Sequence, residues 1–237
     1  ITDVSAGQCC IGVWGPKARE LMTSVSEDDL TNDGFPYLAA RQITVGGVPC
    51  LAVRISYAGE LGWEVYAATE LGLRLWDTLW EAGQSLGVVV AGGGAFDSLR
   101  LEKGYRLWGQ DIHTEYNPYE AGIGFAVRLK KGDFIGRDAL VGIRSEGVTR
   151  KLCCMTLDDP DEVVLGKEPI LHGDDVLGYV SSAGYGYSIG RGIAYAYLPV
   201  EHSEVGTQLD VLYFGERRRV TVTAEPLYDP RMERLKS

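Results

Sequence analysis

The chain has 237 residues, of which 45% are hydrophobic and 24% are charged. This is an ordinary globular composition, so a disordered chain, a collagen and a coiled coil are excluded, and the length allows one large domain or two small ones. The net charge of −10 argues against a nucleic-acid-binding module, which should be basic. The two longest uncharged stretches, 82–96 and 176–190, fall short of the ~20 apolar residues that a membrane helix needs.

The first part of the sequence predicts one helix and three strands. Gly15-Pro16 marks the start of a helix near 16–25, because proline is well placed at the first helical position. Residues 41–56 predict two strands joined by Gly46-Gly47, a hairpin signal. Residues 63–67 alternate apolar and polar side chains, as a half-buried strand does.

A longer helix is predicted from Thr69, as its cap, to about residue 86. Its leucines and tryptophans recur at helical spacing and should face the core. They are Leu71, Leu75, Trp76, Leu79 and Trp80. Gly92-Gly93-Gly94 then precedes a helix at 95–104. The glycine spacing matches neither the Rossmann nor the Walker fingerprint, so a tight turn or close packing is favoured over phosphate binding.

The character of the sequence changes after Gly147. Before this point, residues 123–129 predict a strand and 136–145 a short helix. Beyond it, short β-like runs follow at roughly even spacing, which is typical of a small antiparallel barrel or sandwich. The runs are 151–157, 176–182, 192–198, 208–214 and 217–224. The prediction is therefore an α+β fold of two domains, residues 1–146 and 147–237.

Cysteine usage bears on the compartment and on metal binding. None of the five cysteines forms a Cys-x-x-Cys pair and only three histidines are present, so no metal site is expected. An odd number of cysteines in a chain of this size predicts reduced, buried thiols in a cytosol-like compartment, the cytoplasm or, in a eukaryote, the mitochondrial matrix. The chain opens with Ile1 and has no charged-then-apolar leader, so we expect an internal piece of a longer protein or a trimmed chain, in either case without a signal peptide.

The histidines and an arginine run do not indicate a catalytic centre. His113, His172 and His202 lie in polar, turn-like surroundings and no nucleophile elbow is present, so Ser-His-Asp catalysis has no support. The run Arg217-Arg218-Arg219 falls in a predicted strand, where Arg218 should face opposite to its neighbours. A solvated face is the default interpretation, and an anion site is the alternative.

The segment from Tyr57 to Glu64 is more informative. Its central glycines predict a tight connection that delivers Glu64 onto a strand, between Trp63 and Val65. A carboxylate among apolar groups needs hydrogen-bond donors, because burying it unpaired is costly. Those donors are either an arginine or a ligand edge with two adjacent N–H groups, such as the edge of a pterin. Tyr57 would supply a flat wall or a hydroxyl to such a site.

Five motifs, in order along the chain, resemble those of the glycine cleavage T-protein (aminomethyltransferase) family. Residues 57–64 resemble its Y-T-G-E-x-G-x-E signature, and 13–18 resemble its V-Q-G-P-x-A helix opening. Residues 97–104 resemble its R-D-x-L-R-L-E-x-G helix, 118–124 its P-x-E-A-G-L-G segment and 133–140 its D-F-I-G-R-x-A-L segment. The resemblance implies a folate-binding domain of the T-protein type, incomplete at its N-terminus, and a C-terminal antiparallel β-barrel.

Two stretches narrow the subgroup. Residues 105–112 and 184–187 are similar to the variant found in the C-terminal half of flavin-dependent dimethylglycine and sarcosine dehydrogenases and oxidases. A branch that supports iron–sulfur proteins carries K-G-C where this chain has Lys131-Gly132-Asp133, which argues against that branch. The expected parent is a flavoenzyme of the first kind or a T-protein relative.

The resemblance also implies a function and partners. Glu64 would bind the pterin edge of tetrahydrofolate, and Tyr57 would line the same pocket. A methylene iminium, from an aminomethyl carrier or from flavin-driven amine oxidation, would meet folate N5 and give 5,10-methylenetetrahydrofolate. The protein would mainly position the two reactants and exclude water. The implied partners are tetrahydrofolate, an amine-derived one-carbon donor and either an upstream FAD-holding domain or a lipoyl carrier protein, with no nucleic acid and no membrane.

Two departures from the family pattern bear on activity. The family's catalytic aspartate belongs to a segment upstream of Ile1, and Asp3 is not at the matching position, so the catalytic residue is unassigned and the chain alone is expected to be inactive. A family arginine near the folate is Phe96 here, so either Arg217 to Arg219 hold the tail instead or folate affinity is reduced. The alternative function is a non-catalytic regulatory or binding module of the same family. Three charged motif residues are expected to be structural: Asp97, Arg100 and Glu120.

Overall fold

The computed structural model describes all residues from 1 to 237, and these form two compact units. The first unit holds residues 1–96 and 229–237, and the second holds 97–228. Helices and strands are mixed along the chain, and the C-terminal strands close into an antiparallel barrel, so the predicted α+β class is confirmed. The domain division predicted at residue 147 stays a prediction. None of the helices combines the length and the apolar character needed to cross a membrane.

The first unit is built on a four-stranded antiparallel sheet. Its strands are β1 (Gln8–Trp14), β2 (Ala40–Val45), β3 (Val48–Val53) and β4 (Gly62–Ala68). Their order across the sheet is β1-β4-β3-β2. Two helices, α1 (Ala18–Val25) and α2 (Gly72–Gly83), pack on one face. The core between helices and sheet includes Met22, Val45, Trp63, Val65, Leu75 and Leu79.

The predicted hairpin and the predicted strand that follows it are confirmed. Gly46 and Gly47 join β2 to β3 with φ angles of +54° and +78°, the two left-handed residues that a tight hairpin turn requires and that glycine adopts without strain. The register pairs Val45 with Val48, so both valines fall on the buried face. Strand β4 covers the segment predicted as 63–67.

The predicted helix after β4 is present, but two details are wrong. Thr69 does not cap it, because its hydroxyl donates to the Ala6 carbonyl at 3.0 Å and a 3₁₀ turn precedes α2. Trp76 and Trp80 are 40% and 37% exposed rather than buried. Leu75 and Leu79 lie on the side of the helix that faces the core. Each tryptophan follows one of these leucines and therefore lies further round the helix. The two tryptophan rings stack on each other with centroids 6.3 Å apart.

The second unit contains a closed six-stranded barrel. Its strands are β5 (Arg150–Leu157), β6 (Pro169–His172), β7 (Asp175–Gly186), β8 (Arg191–Pro199), β9 (Gln208–Tyr213) and β10 (Glu216–Thr223). Their order is β10-β5-β8-β7-β6-β9, which then closes on β10. The five predicted β-like runs are confirmed. Strand β6 escaped prediction because it has only four residues and begins with proline, a residue that is uncommon in strands.

Two helices lie between the sheet and the barrel in the sequence, α3 (Gly93–Glu102) and α4 (Arg137–Glu146), and both were predicted. Close packing is not the role of Gly92-Gly93-Gly94, the last two of which lie inside α3, since a Cβ built on any of the three would meet nothing within 4 Å. The strand predicted at 123–129 is wrong. Gly122 turns the chain with a φ of +71°, and residues 124–126 form a 3₁₀ turn instead.

Candidate functional site

Strand β4 places Glu64 on the sheet face that points away from the core. Trp63 and Val65 are fully buried, whereas Glu64 and Tyr66 are half-buried, because successive side chains of a strand point to opposite faces. The expectation that the apolar neighbours of Glu64 would surround its carboxylate is therefore wrong. They pack into the core behind it, and the carboxylate lies on the opposite face.

Tyr66 is the hydrogen-bonding partner of Glu64. Its hydroxyl donates to Glu64 Oε2 at 2.5 Å, from a position two residues further along the same face. No guanidinium reaches the carboxylate, and its other oxygen, Oε1, accepts no hydrogen bond from the protein. The hydrogen bond to Glu64, together with partial burial, raises the pKa of the Tyr66 phenol well above its usual value. The phenol is therefore a donor at neutral pH, and one carboxylate oxygen is left for a ligand.

Strand β1 supplies the residues opposite this pair. Gly12 lies directly across from Glu64, and Cys10 lies across from Tyr66. Desolvation raises the pKa of the Cys10 thiol; the hydrogen bond with Tyr66 opposes this shift, and the charge of Glu64 reinforces it. Cys10 is exposed, against the expectation of buried thiols. The thiols that are buried as expected are those of Cys50, Cys153 and Cys154.

The loop before β4 carries Tyr57 and is held by Ser56. The Ser56 hydroxyl accepts hydrogen bonds from the backbone N–H groups of Ala58 and Glu60, both at 3.2 Å. Tyr57 is half-buried in this loop, seven residues before Glu64. The hydroxyl that holds Glu64 belongs to Tyr66, which was missed in the sequence although the period-two alternation of the strand places residues 64 and 66 on one face.

The arginine run is fully engaged with carboxylates in the barrel. Arg217 pairs with Asp174 at 2.7 Å, and Arg219 pairs with Asp210 at 2.9 Å. Arg218 faces the other way, as predicted, and bonds Glu162 and Glu216. Because each guanidinium already has an acidic partner, the run is a poor candidate for holding a folate tail.

The motif residues expected to be structural make ion pairs in the second unit. Arg100 donates to Asp111 at 2.6 Å, and both side chains are almost completely buried. Glu120 accepts from Arg150 Nε at 2.9 Å and from the Asn117 backbone N–H at 3.0 Å. Asp97 is exposed, 3.4 Å from Arg100.

Two cavities also belong to the second unit, and neither involves Glu64 or Tyr57. One, of about 280 Å³, is lined by residues that include Tyr116, Arg150 and Tyr197. The other, of about 260 Å³, is lined mainly by apolar residues such as Ile123 and Phe134. Glu64 itself is half-buried on its sheet face and lies outside both of these cavities.

Known proteins share both the sequence and the fold. The model of the GCVT N-terminal domain matches residues 1–131, and that of the glycine cleavage T-protein C-terminal barrel domain matches 150–229. The chain is 40% identical over 228 residues to the mitochondrial dimethylglycine dehydrogenase of Homo sapiens. This match covers 95% of this chain and 26% of the dehydrogenase. It is 40% identical over 230 residues to an aminomethyltransferase of Symbiobacterium thermophilum, covering 96% and 61% of the two chains.

A solved structure agrees with the fold. The glycine cleavage system aminomethyltransferase T from Bartonella henselae superimposes with a TM-score of 0.83 at 22% identity, covering 94% of this chain and 60% of that one. The chain thus spans about a quarter of the dehydrogenase and less than two thirds of the transferases. With one family model covering more than half of the chain and the other covering the barrel, the chain belongs to the glycine cleavage T-protein family.

Proposed function

We propose that this chain is the tetrahydrofolate-binding part of an aminomethyltransferase-type enzyme. Its reaction transfers a methylene unit from an amine-derived iminium to tetrahydrofolate and gives 5,10-methylenetetrahydrofolate. The parent is either a dimethylglycine- or sarcosine-oxidising flavoenzyme, with FAD bound outside these residues, or a T-protein relative that works with a lipoyl carrier protein. We place it in the cytoplasm or, in a eukaryote, in the mitochondrial matrix.

The observation that carries this proposal is the state of the Glu64 carboxylate. One oxygen is held by Tyr66, the other accepts nothing from the protein, and no arginine neutralises the charge. A half-buried carboxylate of this kind fits a ligand edge with adjacent N–H donors, since charge-assisted hydrogen bonds are stronger than neutral ones. The pterin ring of a folate has such an edge, and its two N–H groups would donate to Oε1 and to the remaining lone pair of Oε2, so the acceptor set present fits the ligand.

The chain's own residues would bind tetrahydrofolate and orient it. Glu64 would accept from the pterin edge, Tyr66 would keep its carboxylate in place, and Tyr57 would line the same pocket. Tetrahydrofolate supplies the nucleophilic nitrogen when bound. The protein's contribution is to hold the two reactants in line and to keep water from the iminium.

The test is calorimetric titration of the purified chain with 5-formyltetrahydrofolate, a stable reduced folate. Glu64→Gln and Glu64→Ala should raise Kd by about tenfold or more, because a hydrogen bond to a charged group contributes roughly 1.5–3 kcal/mol. The matched control is Glu81→Gln, an exposed carboxylate of α2 in the same unit, which should leave Kd unchanged. Equal Kd values for Glu64→Ala and the unaltered chain, with the fold intact, would rule out the site.

A second candidate function is a non-catalytic, regulatory or binding module of the same family. The observation in its favour is Phe96, an aromatic side chain where the family motif has an arginine. This candidate predicts that the complete parent protein binds reduced folate weakly or not at all and forms no 5,10-methylenetetrahydrofolate. Product formation by the complete parent, lost in Glu64→Ala, would exclude it.

A further inference from the structure

An indole ring lies beside Glu64 because two glycines leave space for it. Trp14 is on the same sheet face as Gly12, and a Cβ on Gly12 would come within 1.9 Å of two atoms of the indole ring. A Cβ on Gly62, which pairs with Trp14 in the register, would meet the Val13 carbonyl oxygen at 2.0 Å and Trp14 Cδ1 at 2.5 Å. The ring thus folds back over Gly12, the residue that lies directly across from Glu64.

The position of this ring is fixed at two points. Trp14 Nε1 donates to the Ile55 carbonyl at 2.9 Å, so its only polar atom is satisfied. Phe96 packs against the ring edge-on, with centroids 5.1 Å apart and an interplanar angle of 85°, an arrangement that aromatic pairs prefer. Trp14 is only half-buried, so part of its side chain remains accessible.

Both residues of this contact depart from the family motifs. Phe96 stands where the resemblance expects an arginine, and Trp14 stands at the glutamine of the V-Q-G-P-x-A opening. The sequence does not indicate that these positions meet. In the structure they are in direct contact, so the two departures form one aromatic corner, defined here as Trp14 and Phe96.

We infer that the aromatic corner is a specificity-determining part of the Glu64 site, and that the flat heterocycle bound by Glu64 stacks on Trp14. This inference rests on the proposed function for the identity of the ligand. In-plane N–H donors of a ring held by Glu64 leave the ring's π-face for an adjacent aromatic wall. Because neither residue of the corner is charged, recognition concentrates on the pterin ring rather than on the acidic tail.

Binding by fluorescence and calorimetry tests the inference. The probes are 5-formyltetrahydrofolate and a tetrahydropterin that lacks the benzoylglutamate tail. Trp14→Leu should weaken binding of both probes by about tenfold, and Phe96→Leu should weaken it severalfold by releasing the indole. Trp14→Phe should keep most of the affinity and lose most of the ligand-induced tryptophan quenching. Trp76→Phe, on the exposed face of α2, is the matched control and should keep both.

Each outcome separates this inference from the proposed function. If Glu64→Gln weakens binding and a folded Trp14→Leu does not, the aromatic corner is not part of the site. If Trp14→Leu fails to fold, Trp14→Phe decides, since undiminished quenching in that variant would overturn the stacking. If the tail-less pterin binds more than about tenfold more weakly than the folate, recognition is not concentrated on the ring. If Glu64→Gln changes nothing, the proposed function fails first.

Discussion

Tyr66 and Glu64 lie two residues apart on one strand, and the tyrosine hydroxyl donates to a carboxylate oxygen at 2.5 Å. This bond fixes the plane of the carboxylate and therefore the direction of its second oxygen. Tyr66→Phe keeps the ring and removes the bond, so folate affinity should fall about three- to tenfold and stability by about 1 kcal/mol. Calorimetric titration and urea unfolding measure the two effects, and full affinity in Tyr66→Phe would show that the carboxylate needs no support.

The same pair predicts a dependence of stability on pH. The folded-state pKa of Tyr66 is raised above the usual value of the phenol, so its stabilisation is complete below about pH 10 and is lost as the pH rises through the folded-state pKa. The difference in unfolding free energy between the unaltered chain and Tyr66→Phe should therefore be constant from pH 7 to 9 and shrink above pH 10. A difference that grows with pH would contradict the assigned bond.

Gly12 should tolerate no side chain. In Gly12→Ala the new Cβ would meet the Trp14 ring at 1.9 Å, so the indole must move, and overpacking of this kind costs about 1–3 kcal/mol. The melting temperature should fall, and Trp14 fluorescence should shift as the ring leaves its place. Gly94→Ala is the control, because nothing lies within 4 Å of its Cβ. Equal melting temperatures for the two variants would refute the packing.

The cysteines should differ in reactivity. Burial raises the pKa of Cys50, Cys153 and Cys154 to about 11, so these thiols remain protonated and shielded at pH 8. The pKa of Cys10 is also raised, but Cys10 is exposed, so its accessibility should let it react first with a thiol reagent such as dithionitrobenzoate. Cys10→Ser should remove the fastest phase, and the half-buried Cys9 should then react at an intermediate rate. The three buried thiols should react only at the rate of unfolding. A fast phase that persists in Cys10→Ser would contradict the assignment.

The buried ion pair between Arg100 and Asp111 should contribute strongly to the stability of the second unit. Arg100→Leu leaves the Asp111 carboxylate buried without its guanidinium partner, although Ser181 and the Leu107 N–H still donate to it. Removing one partner of a buried pair costs about 3–5 kcal/mol. Arg137→Leu is the control, since its partner Asp138 is exposed and such pairs contribute less than about 1 kcal/mol. Urea midpoints compare the two, and similar losses would show that burial does not set the cost.

The sequence predicted those elements whose signal is local. The Gly46-Gly47 turn and the alternation in β4 specify their own geometry, so both were correct. Trp76 and Trp80 have the helical spacing of core residues, yet only the position of α2 against the sheet decides which of two adjacent stripes is buried. That position depends on distant residues and is invisible in a local pattern.

The candidate site was also predictable only where the signal is local in the sequence. Glu64 was found from its motif. The sequence left open whether its carboxylate pairs with an arginine or stays available for a ligand. Tyr66 lies two residues after Glu64, and strand alternation places both on one face. Its role as hydrogen-bond donor to Glu64 was nevertheless missed. The contact between Trp14 and Phe96 joins residues 82 positions apart in sequence, so no periodicity could indicate it.

Closure of the barrel has a consequence for self-association. Each of its six strands is paired on both sides, so no backbone N–H or C=O row is left to recruit another chain. The four-stranded sheet instead ends in β1 and β2. Strand β2 carries Arg41, a charge that discourages strand addition, whereas β1 has no charged residue. In residues 1–237 taken by themselves, intermolecular pairing, and the aggregation that follows from it, should therefore begin at β1.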